Sequence, residues 1–184
     1  YLYFLTLFNV KYYFILLFLF CLSGLSFGQN ETKLSATDGA SNDYYGQSVF
    51  NADSLLIVGS YQDNDSGSVY IYEKIANSWS LIQKLTANDG QPGDQFGYDI
   101  SYSGAHIIVG APMVDDNGSN SGAVYVFEHN GVSWFQLDKL TASDGLGSET
   151  FGDSLDISGN VLIAGAKSDN DNGTNSGSAY IFRY

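Results

Sequence analysis

The sequence predicts an all-β fold built from repeated four-stranded antiparallel sheets, and three observations support this. A seven-residue segment that begins at Lys33 recurs twice in phase. Each copy contains four short segments with the apolar patterning of strands, separated by turn-forming Gly, Asn, Asp and Ser. Gly is abundant at 21 residues and Pro is scarce at 2, which suits tight turns between many short strands.

The recurring segment sets the organisation of the chain. It starts at Lys33, Lys84 and Lys139, so the copies are offset by 51 and 55 residues. A repeat of about 50 residues indicates units that stack on one another or are arranged radially. The predicted repeats are residues 33–83, 84–138 and 139–184.

Each repeat contains four predicted strands, which we call A to D in chain order. Strand A follows an aromatic–glycine pair and alternates in polarity, as in Tyr98–Ser101. Strands B and C are apolar throughout, as in Ile107–Val109 and Val124–Phe127, and this pattern predicts central strands that are covered on both faces. Strand D carries Trp79 in the first copy and Trp134 in the second, and the sequence stops before a third strand D.

A four-stranded sheet that is apolar on both faces needs neighbours to cover it, as in the blades of a β-propeller. Known rings contain about 4 to 8 blades, so three copies make an incomplete propeller. We expect a fragment, an assembly with other copies, or an open stack. We favour a fragment, because both ends look incomplete: the sequence begins with Tyr rather than Met, and it stops before strand D of the third copy.

Residues 1–28 have the pattern of an export signal. An apolar run follows Lys11, the single charged residue of this segment, and Ser26–Gly28 provides a small-x-small cleavage site. We therefore predict a signal peptide and an exported chain of residues 29–184, secreted or held at the cell surface. The alternative is an uncleaved N-terminal membrane segment, because about 20 apolar residues span a bilayer.

Two motifs recur at matching positions in all three copies. In the second copy they are Phe96-Gly97 before strand A and Gly110-Ala111-Pro112 after strand B. At this spacing the motifs resemble the FG-GAP repeat of integrin α-subunit propellers, and more closely its bacterial secreted variants. The resemblance covers residues 33–184 and implies a β-propeller fold. The matching residues are Tyr45, Gly46 and Gly59 in the first copy, and Phe151, Gly152, Gly165 and Ala166 in the third.

One feature of the integrin-type repeat does not carry over. That repeat has an Asp-rich calcium loop between strands A and B, whereas the second copy has a short turn at Ser103-Gly104. Calcium is bound by about 6 to 8 oxygen ligands, which such a turn cannot supply. We therefore expect no calcium site at this position.

The acidic residues concentrate instead in the B–C and D–A connections. Because consecutive antiparallel strands alternate in direction, both connections emerge at one end of each sheet, which we call the acidic end. Twelve of the 20 acidic residues fall there, and the resemblance to integrin propellers implies that this end binds partners. The candidate ligand residues are Asp63, Asp65, Asp89, Asp94, Asp115, Asp116, Asn117, Asn120, Asp144, Asp169, Asp171 and Asn172.

Three interpretations of these residues remain open. Asp, Asn, Ser and Gly often form turns, because their side chains bond to nearby backbone. Carboxylates and Asn carbonyls could also bind a cation such as calcium, in which case calcium and a chelator should give different melting temperatures. In the third interpretation, the side chains contact a partner directly.

The composition and the remaining motifs argue against two classes of function. A net charge of −13 disfavours binding to nucleic acid. His106 and His129 do not recur in the other copies, and nothing pairs either of them with a nucleophile. Trp79 and Trp134 share a strand position, which favours packing over stacking on a sugar.

We therefore predict a non-catalytic exported module, without a cofactor, that binds an extracellular protein or glycan. Contact with a membrane would involve only the N-terminal segment. The first alternative is a purely structural repeat of a larger surface protein. The second is an accessory propeller of an enzyme whose catalytic domain lies outside this chain. Binding predicts a loss of affinity on replacement of Asp115, Asp116, Asp169 and Asp171.

Overall fold

The computed structural model describes residues 31–183. All of the described strands belong to a compact unit of residues 35–184, and residues 31–34 of a second unit have no regular secondary structure. The predicted signal peptide lies outside the described residues. Within them, the single helical element is a three-residue turn at Asp63–Asp65, so no described helix is long enough to cross a bilayer.

Eleven strands form three separate antiparallel sheets, each with its strands hydrogen-bonded in chain order. The all-β prediction is confirmed, and the predicted strands correspond to observed ones. The first sheet contains β1 (Tyr45–Ala52), β2 (Leu55–Ser60), β3 (Ser68–Ile75) and β4 (Ser78–Leu85). The second contains β5 (Ile100–Ser103), β6 (His106–Ala111), β7 (Ala123–His129) and β8 (Trp134–Leu140). The third contains β9 (Phe151–Ser158), β10 (Val161–Ala166) and β11 (Ser178–Arg183).

Strand β5 begins two residues later than the predicted strand A of the second copy. The Asp99 carboxylate accepts a 2.9 Å hydrogen bond from the Ile100 amide. It also accepts a 2.7 Å bond from the Leu155 amide on β9 of the third sheet. The start of this strand is thus tied to the neighbouring sheet by a side chain, a contact that strand patterning does not reveal.

Apolar clusters join consecutive sheets. Between the first and second sheets, Ile57 and Ile71 pack in one buried cluster with Phe96 and Ile100. Between the second and third sheets, the equivalent cluster includes Val126 and Phe151. Strands β3 and β7 each contain five consecutive buried residues. For β7 a neighbouring sheet covers each face, so the predicted mutual cover holds for the second sheet.

The recurring glycines lie where the backbones of neighbouring sheets meet. A Cβ atom on Gly59 would lie 2.1 Å from the Gly97 carbonyl oxygen, and one on Gly110 would lie 2.1 Å from that of Gly152. The amide of Phe96 donates a 2.9 Å hydrogen bond to Ser66 of the preceding sheet. The two motifs thus hold consecutive sheets at backbone contact distance, where a side chain would not fit.

The third sheet departs from the prediction that strands B and C are covered on both faces. On β10 and β11, Ile163 is 42% exposed and Ile181 is 64% exposed. Their counterparts in the first sheet, Ile57 and Ile71, are fully buried. The prediction is wrong here because, among the described residues, no further sheet packs on this face.

Candidate functional site: the acidic end

Lysine side chains join the two acidic connections of the first and second sheets. At the end of β4, the Lys84 Nζ atom lies 2.6 Å from Asp38 in the D–A connection and 2.5 Å from Asp63 in the B–C connection. In the second sheet, Lys139 lies 2.6 Å from both Asp89 and Asp116. The structure therefore brings the B–C and D–A connections together at one end of these sheets.

In the first sheet, Asp63 is a buried structural residue. It is 3% exposed, and the Tyr70 hydroxyl lies 2.7 Å from its Oδ2 atom and 2.9 Å from Asp38 Oδ1. Burial acts to raise the pKa of Asp63, but the bonds from Lys84 and Tyr70 outweigh it and lower the pKa. Burial also acts to lower the pKa of Lys84, and its two carboxylate partners raise it instead. The carboxylate of Asp63 therefore holds the loop in place.

Asp169 of the third sheet has the same role. It is 1% exposed and accepts hydrogen bonds of 2.9 Å from the Tyr180 hydroxyl and from the Asp171 amide. The amide of Asp171 is the main cause that lowers the pKa of Asp169, with burial opposing it. Asp63 and Asp169 occupy equivalent positions, each four residues after the last glycine of strand B.

The second sheet has Val114 at this position. Val114 is 3% exposed and belongs to the apolar cluster between the first two sheets. The Tyr125 hydroxyl, which is equivalent to that of Tyr70, is buried and makes no hydrogen bond of normal geometry with the described residues. Burial raises the pKa of Tyr125. Lys139 consequently pairs with Asp116, whose side chain is 46% exposed.

Sequence reasoning missed the tyrosines and lysines that organise these loops. The tyrosines lie three residues after Gly67, Gly122 and Gly177, so their recurrence was present in the sequence. Each one also stacks edge-on with the aromatic residue of the aromatic–glycine pair, at centroid distances of 5.3 to 5.4 Å. The tyrosines that meet the acidic loops are Tyr70, Tyr125 and Tyr180.

Three further acidic residues close turns in the D–A connections. Asp94 is buried and accepts a 2.7 Å hydrogen bond from the amide three residues before it. Asp43 and Glu149 are also buried and make the equivalent bond. Burial raises the pKa of Asp94, with the amide of Gln91 opposing it. These acids fit the turn interpretation.

The remaining candidates surround these buried acids at the surface. Asp115 accepts a 2.8 Å hydrogen bond from the amide of Asn120, which is half-buried. Asp65 and Asn120 are equivalent and have left-handed backbone, with φ of 66° and 56°. The exposed candidates are Asp65, Asp89, Asp115, Asp116, Asn117, Asp144, Asp171 and Asn172.

Two open depressions lie among these loops. The larger, of about 580 Å³, is lined by Asp38, Asp43, Asp63 and Asp65, with Gly93 of the next connection on its border. The smaller, of about 330 Å³, lies between the second D–A connection and the loop after β6. Both are open and mainly polar, and each has four or more residues with carboxylate side chains in its lining.

The A–B connections are too short to form the calcium loop of integrin-type repeats. Each A–B connection has only two residues between its strands, too few for the oxygen ligands that calcium requires. Across residues 31–183, no group of three or more His, Cys, Asp or Glu side chains is arranged to hold a metal ion.

The aromatic and histidine candidates take part in packing and turns. Trp134 is 5% exposed, lies edge-on to Tyr102 at 6.0 Å, and exchanges two main-chain hydrogen bonds with the Gln83 side chain. The exposed His129 accepts a 3.2 Å hydrogen bond from the Gly131 amide in the C–D turn. His106 is half-buried at the first position of β6.

Comparison with known families agrees with this architecture. A family model described as FG-GAP repeat matches the chain three times, at residues 29–72, 79–127 and 134–182. The second match begins in β4 and ends in β7, so one family unit takes strand D from one sheet and strands A to C from the next. A search of curated proteins found no match. The three family matches cover most of the chain, which therefore belongs to the FG-GAP repeat family.

Proposed function

We propose that this chain is a non-catalytic exported module that binds an extracellular protein or glycan through its acidic end. The observation that carries the proposal is the display of carboxylates around open depressions at one end of the sheets. The buried acids Asp63 and Asp169 anchor the loops from below. Loops held in this way lose little conformational entropy on binding, which favours recognition.

The exposed acids define the chemistry of the partner. Asp65, Asp115 and Asp171 lie in the B–C connections of three different sheets and are exposed. A partner with lysine or arginine side chains would complement them, and the hydroxyl groups of a glycan could donate hydrogen bonds to them. Because exposed charges are screened by salt, affinity for a basic protein should fall as the ionic strength rises.

Export is part of the proposal. It is supported by the apolar segment after Lys11 and by membership of a family whose repeats typically occur in extracellular proteins. Expression of the chain with its N-terminal segment, followed by N-terminal sequencing of protein recovered outside the cytoplasm, tests this part. Cleavage near Gly28 supports export, and an uncleaved chain retained in the cytoplasm contradicts it.

The binding test replaces Asp65, Asp115 and Asp171 together with Asn, which keeps the shape and the hydrogen-bond acceptors of the side chains. The matched control replaces three acids near the A–B and C–D turns at the opposite end of the sheets, Asp53, Glu73 and Glu128, with their amides. Surface plasmon resonance over immobilised glycans and over lysine-rich proteins measures affinity. We expect saturable binding to one ligand, weakened at least about tenfold by the first triple variant and unchanged by the control.

Two results would contradict the proposal. Equal loss in both triple variants would mean that net charge, rather than the acidic end, governs binding. The absence of saturable binding would favour the alternative of a purely structural repeat. That alternative has its own support, because Asp43, Asp94 and Glu149 are all committed to internal turns.

A further inference from the structure

The hydroxyl group of Tyr125 is buried without a partner at the acidic end of the second sheet. Tyr125 is 0% exposed, and its hydroxyl makes no hydrogen bond of normal geometry with the described residues. The equivalent hydroxyl groups of Tyr70 and Tyr180 each bond to an aspartate, at 2.7 and 2.9 Å. A buried hydroxyl without a hydrogen bond costs free energy, so this group requires a partner or a physical reason.

The direction of this hydroxyl follows from its equivalent in the first sheet. The Tyr70 hydroxyl reaches Asp38 and Asp63, and both aspartates line the larger depression. The equivalents of these aspartates in the second sheet, Asp89 and Val114, both line the smaller depression, of about 330 Å³. The unpartnered hydroxyl of the second sheet is therefore directed at the smaller depression.

Two charged side chains of the smaller depression lie close to Tyr125. The Lys139 Nζ atom lies 5.3 Å from the centre of the Tyr125 ring and 2.6 Å from Asp89. Burial raises the pKa of Tyr125, and Lys139 and Asp89 also act on it. The hydroxyl thus belongs to the floor of the depression, beside Lys139 and Asp89.

The depression combines hydrogen-bond donors with a larger number of acceptors. Four carboxylates line it, and Lys139 pairs with those of Asp89 and Asp116. A carboxylate can accept about four hydrogen bonds, and a lysine ammonium group has three N–H donors. Two carboxylate partners do not use all of these, so acceptors and donors both remain beside the Tyr125 hydroxyl.

These groups suit the hydroxyls of a sugar better than they suit a charged ligand. A hydroxyl group both donates and accepts, so adjacent hydroxyls can bond to the carboxylates and to Tyr125 together. An ammonium group only donates and would lie against the positive charge of Lys139, whereas a carboxylate would meet four like charges. Pro92 and Met113 add apolar surface on which the C–H groups of a sugar ring can pack.

We propose that the smaller depression binds a sugar unit of a glycan, with Tyr125 and Lys139 donating hydrogen bonds to it and the exposed carboxylates accepting them. This inference rests on the proposed function and selects a glycan, rather than a basic protein, as the ligand of this site. The second sheet differs from the other two, where Asp63 and Asp169 already accept the tyrosine hydroxyl. A volume of about 330 Å³ lies at the lower end of the range for small-molecule sites.

The test follows amide chemical shifts by NMR as the full chain is titrated with methyl α-mannopyranoside, methyl β-galactopyranoside and methyl α-fucopyranoside. At least one glycoside should give saturable shifts at residues 89–94 and 113–120, with a dissociation constant of about 1 mM. Tyr125→Phe should weaken this binding about tenfold, because it removes one hydrogen bond. The matched control, Tyr70→Phe, removes a hydroxyl with two partners in the first sheet and should lower the melting temperature without changing the glycoside affinity.

A second variant provides the missing partner from within the chain. Val114→Asp places a carboxylate at the position of Asp63, where it can accept the Tyr125 hydroxyl and pair with Lys139. Because the donors of the site are then occupied, the glycoside affinity should fall at least about tenfold. Circular dichroism and the melting temperature verify that this variant is folded, and Tyr125→Phe tests the inference independently of it.

Three results would overturn the inference. The first is the absence of saturable shifts with all three glycosides. The second is an unchanged affinity in Tyr125→Phe, since the hydroxyl would then bond to water instead of the ligand. The third is tighter binding of N-acetyl-lysine methylamide than of any glycoside at these residues, which would assign the site to a basic protein.

The failure of this inference can be distinguished from the failure of the proposed function. Surface plasmon resonance of the same protein over an immobilised lysine-rich protein provides the second measurement. Saturable binding there, weakened by the triple replacement of Asp65, Asp115 and Asp171, together with no glycoside binding, overturns the sugar site alone. The absence of binding in both measurements overturns the proposed function as well.

Discussion

The second and third sheets carry the same strand pattern, and yet the structure buries them differently. Strand β7 has five consecutive buried residues, whereas β11 alternates between half-buried and exposed. Both strands are apolar on both faces, and both follow a glycine with left-handed backbone. The second sheet lies between two others, and the described part of the chain places nothing on one face of the third. Burial in this fold thus depends on the neighbouring sheet as well as on the strand.

The largest expected difference in the free energy of unfolding is between the variants Gly122→Ala and Gly177→Ala. At Gly122 the new methyl group would lie 2.1 Å from the Phe151 carbonyl oxygen and force two sheets apart. We expect a loss of about 4 kcal/mol or more in the free energy of unfolding. At Gly177 the strained backbone alone should cost about 1 kcal/mol. Urea unfolding measures both losses. Equal losses would contradict the view that contact with the next sheet makes glycine necessary at position 122.

The next comparison uses one residue type in two environments. Ile108→Ala removes a fully buried side chain between the second and third sheets and should cost about 3 kcal/mol. Ile163→Ala removes its equivalent, which is 42% exposed, and should cost about 1 kcal/mol or less. A cost at Ile163 that matches Ile108 in dilute protein would contradict this interpretation.

Asp63 of the first sheet provides a pH-dependent comparison with Val114 of the second. Its pKa is lower in the folded than in the unfolded chain, where it is about 4. Its stabilisation is therefore complete above the unfolded pKa and is lost as the pH falls through the folded value. Asp63→Asn should cost about 1 to 2 kcal/mol at pH 7, and less at pH values below the folded pKa. Thermal unfolding of the variant and of the unmodified protein, from pH 7 down to below the folded pKa of Asp63, measures this cost. A cost that is independent of pH would contradict the stabilising role of the Asp63 carboxylate.

The smallest effect is expected for Val114→Asp, which places in the second sheet the residue found at this position in the other two. Tyr125 and Lys139 are equivalent to Tyr70 and Lys84, and the lysine Nζ lies over the tyrosine ring in both sheets, at 5.3 Å in the second and 4.9 Å in the first. The change in unfolding free energy should thus stay within about 1 kcal/mol. The control is Val109→Asp, which buries a carboxylate at a fully buried strand position and should unfold the protein. Equal damage by both substitutions would show that the position in the second sheet cannot accept a carboxylate.

The acidic end shows where sequence reasoning stops. The direction of the strands predicts that twelve acids lie at one end of the sheets. The carboxylates of Asp63, Asp94 and Asp169, however, form bonds within the protein. The Asp–Asn runs look similar in sequence, but they differ in which carboxylate is buried. The position four residues after the last glycine of strand B is Asp in the first and third sheets and Val114 in the second. Neither the spacing nor the composition distinguishes an exposed carboxylate from one that lies beneath a tyrosine.

The sequence by itself determined the strands, the turns and the three-fold repetition, because side-chain alternation and glycine backbone freedom are local properties. It also located the motif glycines, although not their reason, which is the close approach of backbones from adjacent sheets. Only the tertiary structure decided which apolar faces are covered and which carboxylates are buried. Both depend on contacts between residues far apart in the chain, and the free energy of a side chain depends on whether water or protein surrounds it.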